Sequence, residues 1–162
     1  MLHRERVLVL AQEESPKPFR QSVEVGSQHS PMHTTSGRVL LANMDPEDRE
    51  ELLTHDLEWR REKPAARAQF LKRLAAIRAR GYERSEGERF VGGLDIGVSV
   101  GSPGSSIKAA LTIATLKEKS GPSLENMLPA LKACADVIAV HAGLKPEEEV
   151  RGASRPHSDP QV

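Results

Sequence analysis

Apolar and polar residues alternate without a break from Leu94 to Val100 (LDIGVSV). An extended chain there sends Leu94, Ile96, Val98 and Val100 to one side and Asp95, Gly97 and Ser99 to the other. After the turn-forming run GSPGSS, the segment IKAALTIA repeats the division. Ile107, Ala109, Leu111 and Ile113 oppose Lys108, Ala110, Thr112 and Ala114. The two segments predict an antiparallel hairpin whose apolar face packs on helices. A cover follows in sequence: Ser123 is a good N-cap, Leu124, Leu128, Leu131, Ala135, Ile138 and Ala142 form a stripe, and Gly143 ends the helix. The other face, with Asp95, Gly97, Ser99, Ala110, Thr112 and Ala114, is too small and polar for a packed core, and a cavity over it explains that choice.

Upstream the period is mostly helical. A helix begins near Thr35, and Asp45-Pro46-Glu47 starts a second that runs to about Leu57, with proline and acids in its first turn. Lys63-Pro64 breaks the chain, and Phe70, Leu74 and Ile77 then share a face of a third helix stopped by Gly81. Two short strands precede these helices, Val7–Ala11 (VLVLA) and Ser22–Val25 (SVEV), joined by a proline-containing loop. Strands, helices, strands and helix in that order, without a βαβ rhythm, predict an α+β domain on an antiparallel sheet. Residues 1–144 form that domain, and the polar, proline-rich 145–162 form a flexible tail.

Composition narrows the function. The chain has 162 residues, enough for one core, and its 23 Lys plus Arg equal its 23 Asp plus Glu. No global field draws it onto nucleic acid or an anionic membrane. One Trp, one Tyr and three Phe leave little for base stacking and put the core on Leu, Val, Ile and Ala. The single cysteine, Cys134, cannot form an internal disulfide, and no apolar run spans a bilayer, so a cytoplasmic setting is expected. Cys134 lies beside the apolar stripe and is expected in the core.

Candidate chemistry gathers in SPMHTTSGRVLLANMDPEDREELL, Ser30 to Leu53, where hydroxyls and glycine precede a helix. Such a start either caps itself or offers free N–H groups to an anion. His33 is a loop histidine that caps a neighbour or orients a ligand. Asp95, in mid-strand on the small face, must be hydrogen-bonded or paired, with Arg84 and Arg89 as near candidates. Glu88 belongs at a pocket rim or in a salt bridge. The basic run Arg60, Arg61, Lys63, Arg67, Lys72, Arg73, Arg78 and Arg80 reads as a solvated face. The histidines show no paired metal-ligand spacing, and no cofactor fingerprint is present. Three readings compete: a small-molecule effector-binding domain, a small acid-base enzyme using His33 and Asp95, and a ligand-free oligomerisation module.

Several blocks taken together resemble a known family. VLVLAQEESPKPFRQSVEVGS, PMHTTSGRVLLANMDPEDREELL, IRARGYERSEGERFVGGLDIGVSV and AALTIAT followed by an amphipathic helix, from about Val7 to Leu144, resemble the effector-binding domain of IclR-type bacterial transcriptional regulators. The resemblance implies a GAF-like or profilin-like antiparallel sheet with helices on both sides. It also implies an effector pocket on one sheet face, and homo-oligomers whose effector state tunes a separate helix-turn-helix domain. It points to His33, Thr34, Thr35, Ser36, Gly37, Ser85, Asp95, Gly97, Thr112 and Ala114 as the effector-binding set, with helix-start N–H groups near Thr35 to Gly37 facing Asp95 and Thr112. The expected partner is a small organic metabolite, such as a hydroxylated or aromatic acid, with no metal and no cofactor. Set against the family pattern, this sequence is expected to lack the DNA-binding domain and the opening helix and strand of the effector-binding domain. The TTSGR loop is one residue shorter.

Overall fold

The computed structural model describes residues 1–18, 20–101, 109–117 and 123–144. Three short strands open it: β1 (Leu2–His3), β2 (Arg6–Leu8) and β3 (Gln28–His29), in antiparallel order β1-β2-β3. The expected strand at Ser22–Val25 is not formed. Val23 and Val25 are 37% and 57% exposed, so the alternation in SVEV has no buried face to serve, and pairing is reached only at Gln28 and His29. Of VLVLA only Val7 and Leu8 are in a strand, since β2 ends at Leu8.

Four helices follow. In α1 (Thr35–Ala42) the Thr34 hydroxyl accepts from the Gly37 N–H at 3.1 Å. α2 (Pro46–His55) starts on proline, as its sequence dictates, and buries Leu52 and Leu53. It stops earlier than expected because Asp56 caps a new helix, α3 (Leu57–Arg61), accepting from Glu58 N at 2.8 Å and Trp59 N at 3.0 Å. α4 (Pro64–Arg80) ends where Gly81 turns left-handed at φ 78°.

The second sheet, in order β4-β5-β6, is made of β4 (Glu83–Glu86), β5 (Gly93–Val100) and β6 (Ala109–Leu116), all antiparallel. β5 and the described part of β6 fall where the alternation placed them. Lys108, Ile107 and the GSPGSS turn lie outside the described residues, as does the 145–162 tail. Ser123 caps a 3-10 turn (Leu124–Met127) that leads into α5 (Leu128–His141). α5 covers the apolar sheet face through Leu131, Ala135 and Ala139, packed with Ile96, Val98 and Val100. The stripe thus differs at its end from the expected one. Ile138 and Ala142 are exposed, and the buried row Leu131, Ala135, Ala139 continues at four-residue spacing instead. Cys134 is exposed, not core, on the side of α5 away from that row.

α1 lies on the opposite sheet face, so helices do cover both sides. Beyond α1 a second core joins Val39, Leu41, Leu53, Leu74 and Ile77 from α1, α2 and α4, with Trp59 and Phe70 packed against it. Burying each Leu or Ile in these cores contributes about 1.5 to 3 kcal/mol.

Candidate functional site

Residues opposed across an antiparallel ladder share a face. The register therefore sets Glu83, Gly97 and Thr112 in one row and Ser85, Asp95 and Ala114 in the next, all on the side that α1 crosses. Thr35 Oγ1 lies 2.7 Å from Ser85 Oγ. Both hydroxyls reach Asp95 Oδ2, at 3.5 Å from Thr35 and 3.3 Å from Ser85. These are long contacts for a carboxylate, whose charge-assisted bonds are ordinarily shorter. Burial pushes the Asp95 carboxyl above the usual carboxylate range, while the Ser85 and Thr35 hydroxyls favour the charged form and only partly offset it.

Beside this trio a methyl added at Gly97 would stand 3.2 Å from Thr35 Cγ2 and 2.9 Å from Thr112 Oγ1. Crowding by the Thr112 side chain of β6 and by Thr35 of α1, not an empty space, therefore accounts for glycine at this position. The open part of the face lies farther along, at half-buried Asp95 and exposed Ala114. Thr112 Oγ1 is buried and has no hydrogen-bond partner among the described residues. An unmatched buried hydroxyl costs about 1 to 3 kcal/mol, and a ligand that paired with it would recover that loss.

The cluster before α1 is held more by packing than by open N–H groups. Gly37 sits against the Pro31 backbone so closely that an added methyl would meet Pro31 O at 2.3 Å. Its N–H is taken by Thr34, and Arg38 N donates to Thr34 O at 3.0 Å. The Gly37 donor expected to face Asp95 and Thr112 is thus turned to the cap. Ser36 is half-buried, and His33 is exposed with Nε2 2.8 Å from Glu58 Oε2. No hydrogen bond or ion pair among the described residues joins His33 to Asp95. Of the ten expected residues, Thr35, Ser85, Asp95, Gly97 and Thr112 converge, Ala114 flanks them, and Thr34 and Gly37 shape the helix start.

One turn along α1 a buried ionic cluster forms that the sequence reading did not foresee. Arg38, 2% exposed, donates from Nε to Glu83 Oε1 at 3.0 Å and from Nη1 to Met32 O at 3.1 Å, and its Nη2 lies 2.8 Å from Glu88 Oε2. Glu83, fully buried, also receives Arg73 Nε at 2.8 Å and Arg80 Nη2. Arg73 Nη2 reaches Glu88 Oε1 at 2.7 Å. Burial lowers the Arg38 pKa first, and the neighbouring Arg73 lowers it further. Arg73 is thus drawn partly inward from the expected solvated face, while Arg80 stays exposed on it and reaches Glu83 from there. Arg84 does not pair with Asp95. Its strand position sends it to the α5 side, where Nε lies 2.7 Å from Glu125 Oε1. The one signal available was β4 itself, ERSE between two glycines, a strand too charged to be buried without partners.

The sequence profile described as bacterial transcriptional regulator IclR C-terminal matches residues 1–140. The chain belongs to the IclR family. No curated protein sequence matches it. Among solved structures it is similar to an IclR transcriptional regulator from Alicyclobacillus acidocaldarius, with 24% identity and a TM-score of 0.71 over 86% of this chain and 57% of that one. It is also similar to a transcriptional regulator from Rhodococcus sp. RHA1, with 23% identity and a TM-score of 0.69 over 85% and 58% of the two chains. A third is the inducer binding domain of the PobR transcription factor from Acinetobacter, a double mutant in complex with 3-hydroxybenzoic acid. There identity is 21% and the TM-score 0.64, over 85% of this chain and 83% of that one. The IclR-family chain described here thus spans a little over half the length of the first two regulators. No helix among its described residues is long and apolar enough to cross a membrane.

Proposed function

We propose that this IclR-family domain is a non-enzymatic sensor that binds a small organic acid on the sheet face beside the start of α1. The observation that carries this reading is Thr112 Oγ1, a buried hydroxyl with no partner, next to a loosely bonded and desolvated Asp95. A ligand hydroxyl or amine suits Asp95, and a ligand oxygen suits the hydroxyls of Thr112 and Thr35. The complex of the PobR inducer binding domain with a hydroxylated aromatic acid supports the same ligand class here. His33 and Asp95 stand in separate clusters, which gives the acid-base enzyme no working pair.

DNA binding is proposed to belong to a separate helix-turn-helix domain, since the whole sequence balances 23 basic against 23 acidic residues and carries no net basic charge. Self-association is part of the proposal as well, supported by Met127, Val137 and Ile138, which are 40%, 51% and 43% exposed on and beside α5. The test is a thermal-shift panel of small organic acids. A ligand at a hundred times its Kd should stabilise the folded domain by about 2.7 kcal/mol. A panel of hydroxylated and aromatic acids in which none raises the melting temperature would contradict the reading.

A further inference from the structure

A second recess opens beside the Arg38 cluster, and none of Thr35, Ser85, Asp95 and Thr112 is in its lining. It is a half-open cleft of about 210 Å³, with Met32, Trp59 and Phe70 as apolar wall and Arg38, Arg73 and Glu62 among its charged lining. That volume equals the share of roughly seven waters in the liquid at about 30 Å³ each. The wall is built, not incidental. Trp59 and Phe70 meet edge to ring with centroids 5.7 Å apart, and Arg67 lies 5.5 Å over the indole, so the ring is held in place. The chain has one Trp and three Phe, and it places the Trp and one Phe at this cleft.

The charges around it are unevenly committed. Arg73 turns Nε and Nη2 to Glu83 and Glu88, while its Nη1 makes no hydrogen bond among the described residues. Glu88, which also lines the cleft, is consumed by Arg38 and Arg73. Glu62 is exposed and makes no ion pair among the described residues. His33, on the rim, is already against Glu58. The cleft therefore offers one unused guanidinium edge, one unused carboxylate and an aromatic wall. A simple anion would meet Arg73 but face Glu62, and a simple amine would meet the reverse. A molecule with both charges and an apolar body satisfies all three.

We infer that this cleft binds a zwitterion, an α-amino acid with an apolar or aromatic side chain. The carboxylate goes to Arg73 Nη1, the ammonium to Glu62 and the side chain to Trp59 and Phe70. The site is separate from the organic-acid site at Asp95. Trp59 is the only tryptophan in the chain and reports on its own wall. The probes are L-phenylalanine, 3-phenylpropionate, which lacks the ammonium, and 2-phenylethylamine, which lacks the carboxylate. Each is titrated at millimolar concentration against the whole chain with Trp59 emission as readout. L-phenylalanine should give a saturable change, and each of the other two should bind about ten-fold more weakly or worse, the loss of one charge-assisted contact. Ala66→Leu adds bulk at an exposed lining position outside the ionic cluster and should abolish the response, while Asp95→Ala should leave it unchanged. No saturable change, equal binding of 3-phenylpropionate, or an unaltered response in Ala66→Leu overturns the inference. So does a response lost in Asp95→Ala but kept in Ala66→Leu, which would assign the amino acid to the other site.

Discussion

Thr35 and Arg38 stand one turn apart on α1, and both reach down to the same three-stranded sheet, yet they make opposite kinds of contact. At the Arg38 end, Glu83 is fully buried and bonded by Arg38, Arg73 and Arg80. At the Thr35 end, Asp95 is half-buried, its contacts run to 3.3 and 3.5 Å, and the Thr112 hydroxyl nearby is unmatched. A buried carboxylate ringed by guanidiniums has nothing left to offer a ligand, so its work is to clamp α1 to β4 and α4. A carboxylate that has lost water without gaining full replacement is poised to accept a donor. Satisfaction of polar groups, more than polarity itself, separates the clamp from the site.

That contrast can be broken by substitution. The largest effect is expected from Glu83→Ala, which leaves Arg38 buried without its main partner and should cost about 3 to 5 kcal/mol, measured as the loss in urea unfolding free energy. A loss no greater than that of a surface change would mean that the cluster clamps nothing. Gly37→Ala comes next. The methyl meets Pro31 backbone at 2.3 Å, so the loop before α1 must move. The cost should be about 2 to 3 kcal/mol, with weaker ligand binding even in molecules that remain folded.

Asp95→Asn should behave differently from either, gaining on the order of 1 kcal/mol at neutral pH because a neutral amide escapes the desolvation of the charge. The pH dependence fixes the sign. With its pKa raised by burial, the folded Asp95 holds a proton over a window opening at the ordinary value of about 3.9, where the unfolded chain has already lost it. Its contribution is complete below that window and falls away as pH rises through the raised pKa. The difference in stability between the parent and Asp95→Asn should therefore grow with pH and then level off, and a difference independent of pH would contradict the assignment. The smallest effect belongs to His33→Ala. An exposed pair such as His33 with Glu58 contributes about 0 to 1 kcal/mol, and thermal melts of the two proteins should nearly coincide.

The parts legible in the sequence are those where one physical signal acts alone. Strict alternation marked β5, and Pro46, Pro64 and Gly81 marked helix ends, since each restricts or frees the backbone locally. β4 was not legible because Glu83 and Ser85 are polar residues turned inward. Their burial is made possible by Arg38 and Arg73, 45 and 10 residues away. In the same way the convergence of Thr35 on Ser85, 50 residues later, depends on how α1 crosses the sheet. The resemblance named those residues, whereas residue pattern alone offered Arg84 and Arg89 as partners for Asp95. Strand register excludes Arg84 by turning it to the α5 face. At the end of the α5 stripe Ala139 is buried where Ile138 was expected, because steps of three and of four residues both stay near one helix face and the pattern alone does not choose between them.

The central claim is that Asp95 accepts a donor from a small acid bound beside α1. It is tested most directly by measuring the affinities of 3-hydroxybenzoate and benzoate for the parent and for Asp95→Ala by calorimetry. The hydroxylated acid should bind the parent and lose about 1 to 3 kcal/mol, or roughly 5- to 150-fold, in Asp95→Ala. Benzoate, which brings no hydroxyl, should bind the two proteins alike. Equal affinity of 3-hydroxybenzoate for both proteins would contradict the claim, and so would its failure to bind the parent more tightly than benzoate does.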